Sequence, residues 1–228
     1  MEKSFDKKQL AGILSVLVIF ALELMVAVLY LCPRAVSGEL ISVRHASEDL
    51  QGIIIQSLVP CILPAALLIL SAIHLRKRFA SEMLLTLHGK WQRITSAVLG
   101  SVIIVITVYC LITKEDKVSV LFSLPYYILF VAFCEEFVFR DVCLWLLRDS
   151  NKYIRYLLPN TCFALLHLFA NTGWKEITTA AVLHFLTGEF AGYIAAGCIF
   201  QFITEKAGSI WISVLLHGLL DLSGIIQY

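Results

Sequence analysis

Three ionisable residues lie close together in an otherwise apolar, aromatic-rich stretch: Glu135, Glu136 and Arg140. The surrounding segment, from about Val118 to Leu147, is long and apolar enough to cross a bilayer. A charged side chain at the bilayer centre costs at least ~2.5–3.5 kcal/mol on insertion scales, so such a concentration of charge is expected to serve a purpose. Glu136 and Arg140 are spaced i, i+4, so on a helix they share a face and can pair. Glu135 points about 100° away and requires another partner.

Ionisable residues in two further apolar segments are candidates for that partner. His167 follows Phe163 by four residues, and Asp221 follows His217 by four, so the members of each pair share a helix face. Counted along predicted helices at ~1.5 Å per residue, Glu135, His167 and His217 all fall near the middle of a core of about 30 Å. An aspartate beside a histidine holds the ring in one tautomer. The sequence therefore predicts one polar site at bilayer depth.

The composition indicates an all-α integral membrane protein. Of the 228 residues, 59% are hydrophobic and only 15% are charged, whereas a soluble domain carries about 25% charged residues. The apolar runs predict a polytopic helical bundle of about seven transmembrane spans. Their approximate limits are Leu10–Leu31, Gly52–Leu75, Ile94–Ile112, Val118–Leu147, Tyr153–Ala170, Ile177–Ile203 and Gly208–Tyr228. In the second span, Pro60 and Pro64 predict a kink.

Charge and cysteine usage narrow the expected partners. The net charge of +1 provides no strong field for nucleic acid, so the lipid bilayer and a peptide or membrane-protein substrate are the expected partners. Lys and Arg are more frequent in alternate loops, which predicts a multi-pass cell-membrane protein with a cytoplasmic N-terminus. The seven cysteines include no C-x-x-C pair, and most lie in apolar spans, where Cys behaves as a small hydrophobe. The oligomeric state stays open.

The predicted site suits hydrolysis by an activated water molecule. A carboxylate in a dry site can act as a general base, and a nearby histidine can donate a hydrogen bond to an oxyanion or move protons. Glu135, His167 and His217 also match a His₂Glu zinc set, so zinc, another divalent metal and a metal-free site all stay open. A small proton-coupled transporter, or a non-enzymatic immunity or scaffold protein, would use similar residues. The sequence contains neither H-E-x-x-H nor G-x-S-x-G.

The polar residues form three motifs in a fixed order along the chain. These are Glu135-Glu136-x-x-x-Arg140, Phe163-x-x-x-His167 and His217-x-x-x-Asp221. The series resembles that of the CAAX protease and bacteriocin-processing family (CPBP or Abi), which includes the Ras-converting CAAX endopeptidase of eukaryotes. The resemblance covers about Leu121–Ser223 and implies a multi-span intramembrane endopeptidase of the metallo- or glutamate type. Residues 1–117 would then be membrane scaffold and residues 118–228 the catalytic core.

The resemblance also implies roles for the site residues. Glu135 would be the general base on water and would work with His167. Glu136 would be a second acidic site residue, held by Arg140.

At the last motif, His217 with Asp221 would bind or polarise the scissile carbonyl. Members of the family carry Asn or Asp at this last position, and an aspartate is the poorer donor of the two unless it is protonated. The compact chain looks bacterial, and bacterial relatives are associated with the processing of peptide pheromones or bacteriocins and with self-immunity. Such a peptide is therefore the expected substrate.

Overall fold

The computed structural model describes residues 6–171 and 178–226, in which the chain is built of helices and contains no strand. The all-α fold class is confirmed. In chain order the helices are α1 Lys7–Ser37, α2 Leu50–Leu58, α3 Ile62–Leu75, α4 Phe79–Glu82, α5 Lys90–Thr113, α6 Lys117–Leu146, α7 Lys152–Asn171, α8 Thr179–Ala207 and α9 Trp211–Ile226. Short 3₁₀ turns occupy Val43–His45 and Arg76–Arg78. The start of the predicted sixth span at Ile177 and the end of the seventh at residues 227–228 lie outside the described residues.

The predicted count of seven spans is not confirmed. Within the described residues, four helices are long and apolar enough to cross a membrane, namely α1, α5, α6 and α8. The bent pair of α2 and α3 makes a fifth if it counts as one broken span. α7 is helical over a predicted span, but Arg155, Asn160 and His167 make it less apolar. The apolar part of α9, Trp211–Gly224, is shorter than the other spans.

The predicted kink in the second span is confirmed as a break of three residues between α2 and α3, with a bend of 48°. Pro60 and Pro64 carry no backbone N–H, so the regular hydrogen-bond ladder is interrupted at both positions. The amide of Cys61 donates to the carbonyl of Leu58. The Cys61 thiol lies 3.2 Å from the carbonyl of Ser57, which a regular helix would have paired with that amide.

The chain divides into two compact units. Unit A consists of Met1–Glu39 and Phe139–Phe202, and unit B consists of Leu40–Val138 and Ile203–Tyr228. Helices α6 and α8 contribute to both units, because a boundary falls inside each of them. The predicted division at residue 117 concerns the roles of the segments, and it stays a prediction.

In unit A, α1 packs against α7 and the C-terminal end of α6. Gly12 permits the close approach, since a Cβ atom there would lie 2.4 Å from the carbonyl oxygen of Leu146. The side chains of Val16 and Ile19 are buried on the same helix. Apolar contacts and backbone proximity therefore fix α1 against the end of the helix that carries the glutamates.

In unit B, α9 packs against α5 and against the middle of α6. Gly218 lies so close to α6 that a Cβ atom would be 2.3 Å from Cδ1 of Ile128. The Trp211 indole N–H donates to the carbonyl of Leu85 at 2.7 Å, and its ring stacks on Phe133 with centroids 5.5 Å apart. These contacts hold α9 along the part of α6 that leads to the two glutamates.

The start of α6 is fixed by a capping aspartate. Asp116 accepts hydrogen bonds from the backbone N–H and the hydroxyl of Ser119 and from the hydroxyl of Ser47. An acidic N-cap satisfies amides that have no partner inside the helix. The hydrogen bonds from Ser119 and Ser47 lower the pKa of the Asp116 carboxyl to about 2.

Candidate active site

Glu135 and Glu136 lie in one α-helical turn of α6, Cys134–Phe137, between two π-helical segments. The π segments are Tyr126–Phe133 and Val138–Val142. A π turn displaces the regular hydrogen bonds by one residue and is frequent at functional sites. The side chain of Glu136 is fully buried, whereas that of Glu135 is 31% exposed. The two neighbouring carboxylates therefore meet different surroundings, as their angular separation on a helix predicts.

The imidazole of His217 lies among three carboxylates, all in unit B. Its Nδ1 atom is 3.0 Å from Oε1 of Glu136. Its Nε2 atom is 3.7 Å from Oε2 of Glu135 and 3.7 Å from Oδ2 of Asp221. The structure thus brings together four of the six predicted site residues. We call this group, Glu135, Glu136, His217 and Asp221, the carboxylate cluster.

The hydrogen bond to Glu136 determines how the ring of His217 is used. A carboxylate accepts hydrogen bonds, so Nδ1 donates and the orientation of the ring is fixed. Nε2 then faces the two carboxylates that are partly exposed, Glu135 and Asp221. A separation of 3.7 Å is too long for a direct hydrogen bond. An oxygen atom of water or substrate bound between the groups would be within reach of both.

In unit A, the guanidinium of Arg140 is fully buried against aromatic rings. Its Cζ atom is 4.1 Å from the ring centroid of Phe163 and 6.0 Å from that of Phe200, distances at which a ring attracts a cation. At Gly197, a Cβ atom would lie 2.3 Å from Oδ1 of Asn160 and 2.9 Å from Nη2 of Arg140. We call the group of Arg140, Asn160, Phe163, Gly197 and Phe200 the arginine cluster. The predicted pairing of Arg140 with a glutamate stays a prediction.

A pair of buried amides joins α7 to α8 beside the arginine. Asn160 and Gln201 are both 0% exposed. Nδ2 of Asn160 is 2.8 Å from Oε1 of Gln201 and 2.7 Å from the carbonyl of Tyr156. Nε2 of Gln201 donates to the carbonyl of Arg155 at 3.2 Å. Buried amides with such partners stabilise helix packing without leaving these donors unpaired.

His167 also lies in unit A, and it packs on Phe163 as predicted, with ring centroids 4.4 Å apart. Its Nδ1 atom is 2.9 Å from the Phe163 carbonyl. A carbonyl only accepts, so in the neutral ring Nδ1 carries the proton and Nε2 the lone pair. The ring of Tyr193 packs against the imidazole as well, at 4.2 Å. The predicted cooperation of His167 with Glu135 stays a prediction.

The chain from residue 117 to residue 223 matches the family model of the Type II CAAX prenyl endopeptidases, described as Rce1-like. This part of the chain is similar to an Rce1-like domain. The resemblance predicted from the motif series is confirmed, and the family indicates a protease. All six predicted site residues lie within the matched segment. No curated protein and no solved structure matches the chain.

Several polar residues of the matched segment were not among the predicted site residues. Asp141 is 2% exposed and follows Arg140 directly, and as a fourth ionisable residue in the same apolar run it could have been singled out from the sequence. Asn160 and Gln201 carry no charge, and no spacing rule links α7 to α8. Tyr126 interacts electrostatically with Glu135 and with an aspartate of α9, a proximity that depends on tertiary packing.

The fit of a metal ion can be judged from the donor atoms. In residues 6–171 and 178–226, no group of three or more His, Cys, Asp or Glu side chains is arranged to hold a metal ion. The predicted ligand set of Glu135, His167 and His217 is therefore not among such groups. In both histidines Nδ1 is engaged by an oxygen atom, which turns Nε2 into the ring atom that can act as a ligand or as a hydrogen-bond partner. The hydrolysis proposed for these residues is derived from their own acid–base chemistry.

Proposed function

We propose that this protein is an intramembrane endopeptidase that hydrolyses a peptide bond by activating water at the carboxylate cluster. The observation that carries the proposal is the position of the His217 imidazole. Its Nδ1 atom is held by the buried Glu136, and its Nε2 atom faces the partly exposed Glu135 and Asp221. One side of the ring is thereby fixed, and the other side is turned to groups that a substrate can reach.

In the proposed reaction, Glu135 accepts a proton from a water molecule bound between its carboxylate and the imidazole. The oxygen of that water forms a bond to the carbonyl carbon of the scissile peptide. Collapse of the tetrahedral intermediate breaks the C–N bond, and the proton passes from Glu135 to the leaving nitrogen. A positioned general base of this kind contributes about 10²–10⁴-fold to the rate.

The remaining cluster residues support this step in different ways. The proposed role of His217 is to hold the water or the scissile carbonyl through Nε2, and Asp221 extends the same polar surface one helical turn further along α9. Glu136 is proposed to orient the ring, because it accepts the hydrogen bond from Nδ1. Arg140 is proposed to anchor its helix through the aromatic rings of unit A.

The proposed substrate is a peptide that reaches the site from the membrane. The name of the matching family model points to prenylated CAAX peptides. We propose a peptide pheromone or bacteriocin as the substrate, as the family resemblance of the motif series implies, and processing of such a peptide would also provide self-immunity. We propose the cell membrane as the location, with the N-terminus in the cytoplasm.

The test compares wild type with Glu135→Gln, purified in detergent, on farnesylated CAAX peptides and on an unprenylated fluorogenic peptide library. The amide keeps the shape of the side chain and removes the base. We expect turnover to fall by about 10²–10⁴-fold while the peptide still binds. Glu115→Gln is the matched control, since Glu115 is exposed in the turn before α6.

Each arm of this experiment has a defined meaning. The same background signal with wild type and with Glu135→Gln on every peptide would contradict the proposal and favour a binding scaffold. Loss of cleavage with a chelator, restored by a divalent metal, would contradict the metal-free mechanism. Selective cleavage of the farnesylated peptides would identify a CAAX substrate and overturn the assignment to unprenylated pheromones or bacteriocins.

A further inference from the structure

Two cysteine thiols lie side by side next to the candidate active site. The Sγ atoms of Cys61 and Cys134 are 3.5 Å apart, and both residues are half-buried in unit B. Cys134 directly precedes Glu135 in the chain. A change in the position of the Cys134 sulfur is therefore transmitted to the turn that carries the proposed general base.

Each thiol lies at an irregular point of its helix, which explains why the two meet. Cys61 lies in the proline break, with its sulfur 3.2 Å from the carbonyl of Ser57. Cys134 directly follows the π segment Tyr126–Phe133, with its sulfur 3.4 Å from the carbonyl of Leu129. Both sulfurs thus approach main-chain carbonyls at irregular points of the backbone, and they are in contact with each other there.

The packing around the pair leaves the two backbones close together. α2 packs against the π segment of α6, and α3 packs against the turn Cys134–Phe137. The bend between α2 and α3 thus lies beside the start of the glutamate turn. Two sulfurs held at such a junction need only a small displacement to form a bond.

We propose that Cys61 and Cys134 form a redox-modification site for small apolar disulfides, and that its closure inactivates the protease. One cysteine attacks a sulfur of the reagent and releases the first thiol, and the second cysteine then displaces the remaining half as a second thiol. The two protein thiols lose two protons and two electrons, and the reagent disulfide is reduced to two thiols. The loss of activity rests on the proposed function, whereas formation of the protein disulfide does not.

The expected effect on turnover follows from the distances. A disulfide holds its sulfurs about 2.05 Å apart, so closure brings these two sulfurs together by about 1.5 Å. The displacement is shared between the bend and the residue before Glu135. A misplacement of about 1 Å can cost about 10²-fold in rate. We therefore expect kcat/KM to fall by about 10²-fold on closure.

The first experiment detects the bond itself. The purified protein is treated with 2,2′-dithiodipyridine, and released thiopyridone and peptide masses are measured. Wild type is expected to yield a peptide linked through Cys61 and Cys134. Cys61→Ser is expected to yield a pyridylthio adduct on Cys134 instead. Cys143 and Cys162 are buried and serve as the internal control, since they are expected to stay unmodified.

The second experiment measures activity. Wild type is expected to lose about 10²-fold in kcat/KM after treatment and to recover with dithiothreitol. The double variant Cys61→Ser, Cys134→Ser is expected to keep its activity throughout, because neither thiol takes part in the proposed hydrolysis.

The outcomes separate the two proposals. Absence of the linked peptide, with other half-buried cysteines modified, would overturn the redox site. A linked peptide with unchanged turnover would overturn the inactivation. A wild type that cleaves no peptide would contradict the proposed function, while the mass measurement would still decide whether the thiols close.

Discussion

The carboxylate cluster and the arginine cluster accommodate charge in an apolar chain in different ways. In the first, the side chains of Glu135 and Asp221 are 31% and 30% exposed, so their carboxylates can meet a substrate. In the second, Arg140 and Asn160 are both 0% exposed and lie among rings and amides. A reacting group needs an open face, whereas a group that holds helices together can be completely enclosed. Exposure therefore separates the two carboxylates that are proposed to meet the substrate from the residues that are proposed to hold the helices together.

The comparison also divides a single sequence motif. Glu135, Glu136 and Arg140 lie within six residues of one helix. Their surroundings nevertheless belong to different compact units, because the boundary falls between Val138 and Phe139. A motif that reads as one site along the chain thus contributes carboxylates to one unit and a buried cation to the other.

The largest expected effect within this comparison is that of Glu136→Gln. The amide side chain can turn its N–H toward Nδ1 of His217 and disturb the orientation that the carboxylate fixes. In serine proteases, the corresponding change of aspartate to asparagine beside the catalytic histidine lowers kcat by about 10⁴-fold. We expect a fall in kcat of about 10²-fold or more, with KM nearly unchanged, measured on the peptide that wild type cleaves.

One outcome for Glu136→Gln would contradict the proposed role of Glu136 in the chemistry. If Glu136→Gln kept full kcat and only lowered the thermal unfolding midpoint, the buried glutamate would belong with the architectural residues. Glu115→Gln again provides the control for the loss of one negative charge.

Arg140→Met is expected to affect stability first. Methionine replaces the unbranched aliphatic stem of arginine but lacks the guanidinium, whose Cζ atom lies 4.1 Å from the Phe163 ring centroid. A desolvated cation–π contact contributes about 2 kcal/mol or more. Circular dichroism during heating, at constant detergent concentration, should show a lower unfolding midpoint. A variant as stable as wild type but without turnover would instead place Arg140 in the chemistry.

Gly197→Ala tests the packing of the arginine cluster without removing any charge. The added Cβ atom would lie 2.3 Å from Oδ1 of Asn160, so the amide or the helix must move. Overpacking of this kind costs about 1–3 kcal/mol. The same thermal measurement should show the loss.

Gly192→Ala is the matched control on the same helix, because a Cβ atom there meets nothing within 4 Å. Alanine is favoured over glycine in a helix by up to about 1 kcal/mol. The control should therefore be as stable as wild type or slightly more so. Equal destabilisation by both substitutions would show that the close approach at Gly197 is unimportant.

Much of the fold was predictable because apolar runs and proline positions act locally. The helical class and the kink at Pro60 and Pro64 required only hydropathy and the missing backbone N–H groups. The number of transmembrane spans was harder to predict from the sequence. α7 is 20 residues long, but Arg155, Asn160 and His167 lower its hydropathy, so hydropathy does not decide whether it crosses the bilayer.

Proximities between neighbouring residues of the candidate site were predictable, whereas contacts between residues far apart in the chain were not. Spacing of four placed Asp221 beside His217 and Phe163 beside His167, and both proximities are present. The hydrogen bond between Glu136 and His217 joins residues 81 positions apart. It depends on how α9 packs along α6, which no pattern along the chain encodes. The contact between the thiols of Cys61 and Cys134 likewise depends on tertiary packing, which places the break between α2 and α3 beside the π segment Tyr126–Phe133.

The smallest expected effect concerns a charge outside both clusters, at the N-cap of α6. Asn caps a helix about as well as Asp, so Asp116→Asn isolates the charge. The pKa of Asp116 is lowered from 3.8 to about 2 by hydrogen bonds from Ser119 and Ser47. Because the folded protein binds this proton less readily than the unfolded chain, the stabilisation is complete above about pH 4 and is lost as the pH falls through about 2. Wild type should therefore unfold at a slightly higher temperature than Asp116→Asn at pH 6, and the difference should shrink toward pH 2. A difference that stayed constant between these pH values would show that the carboxylate charge does not stabilise the start of α6.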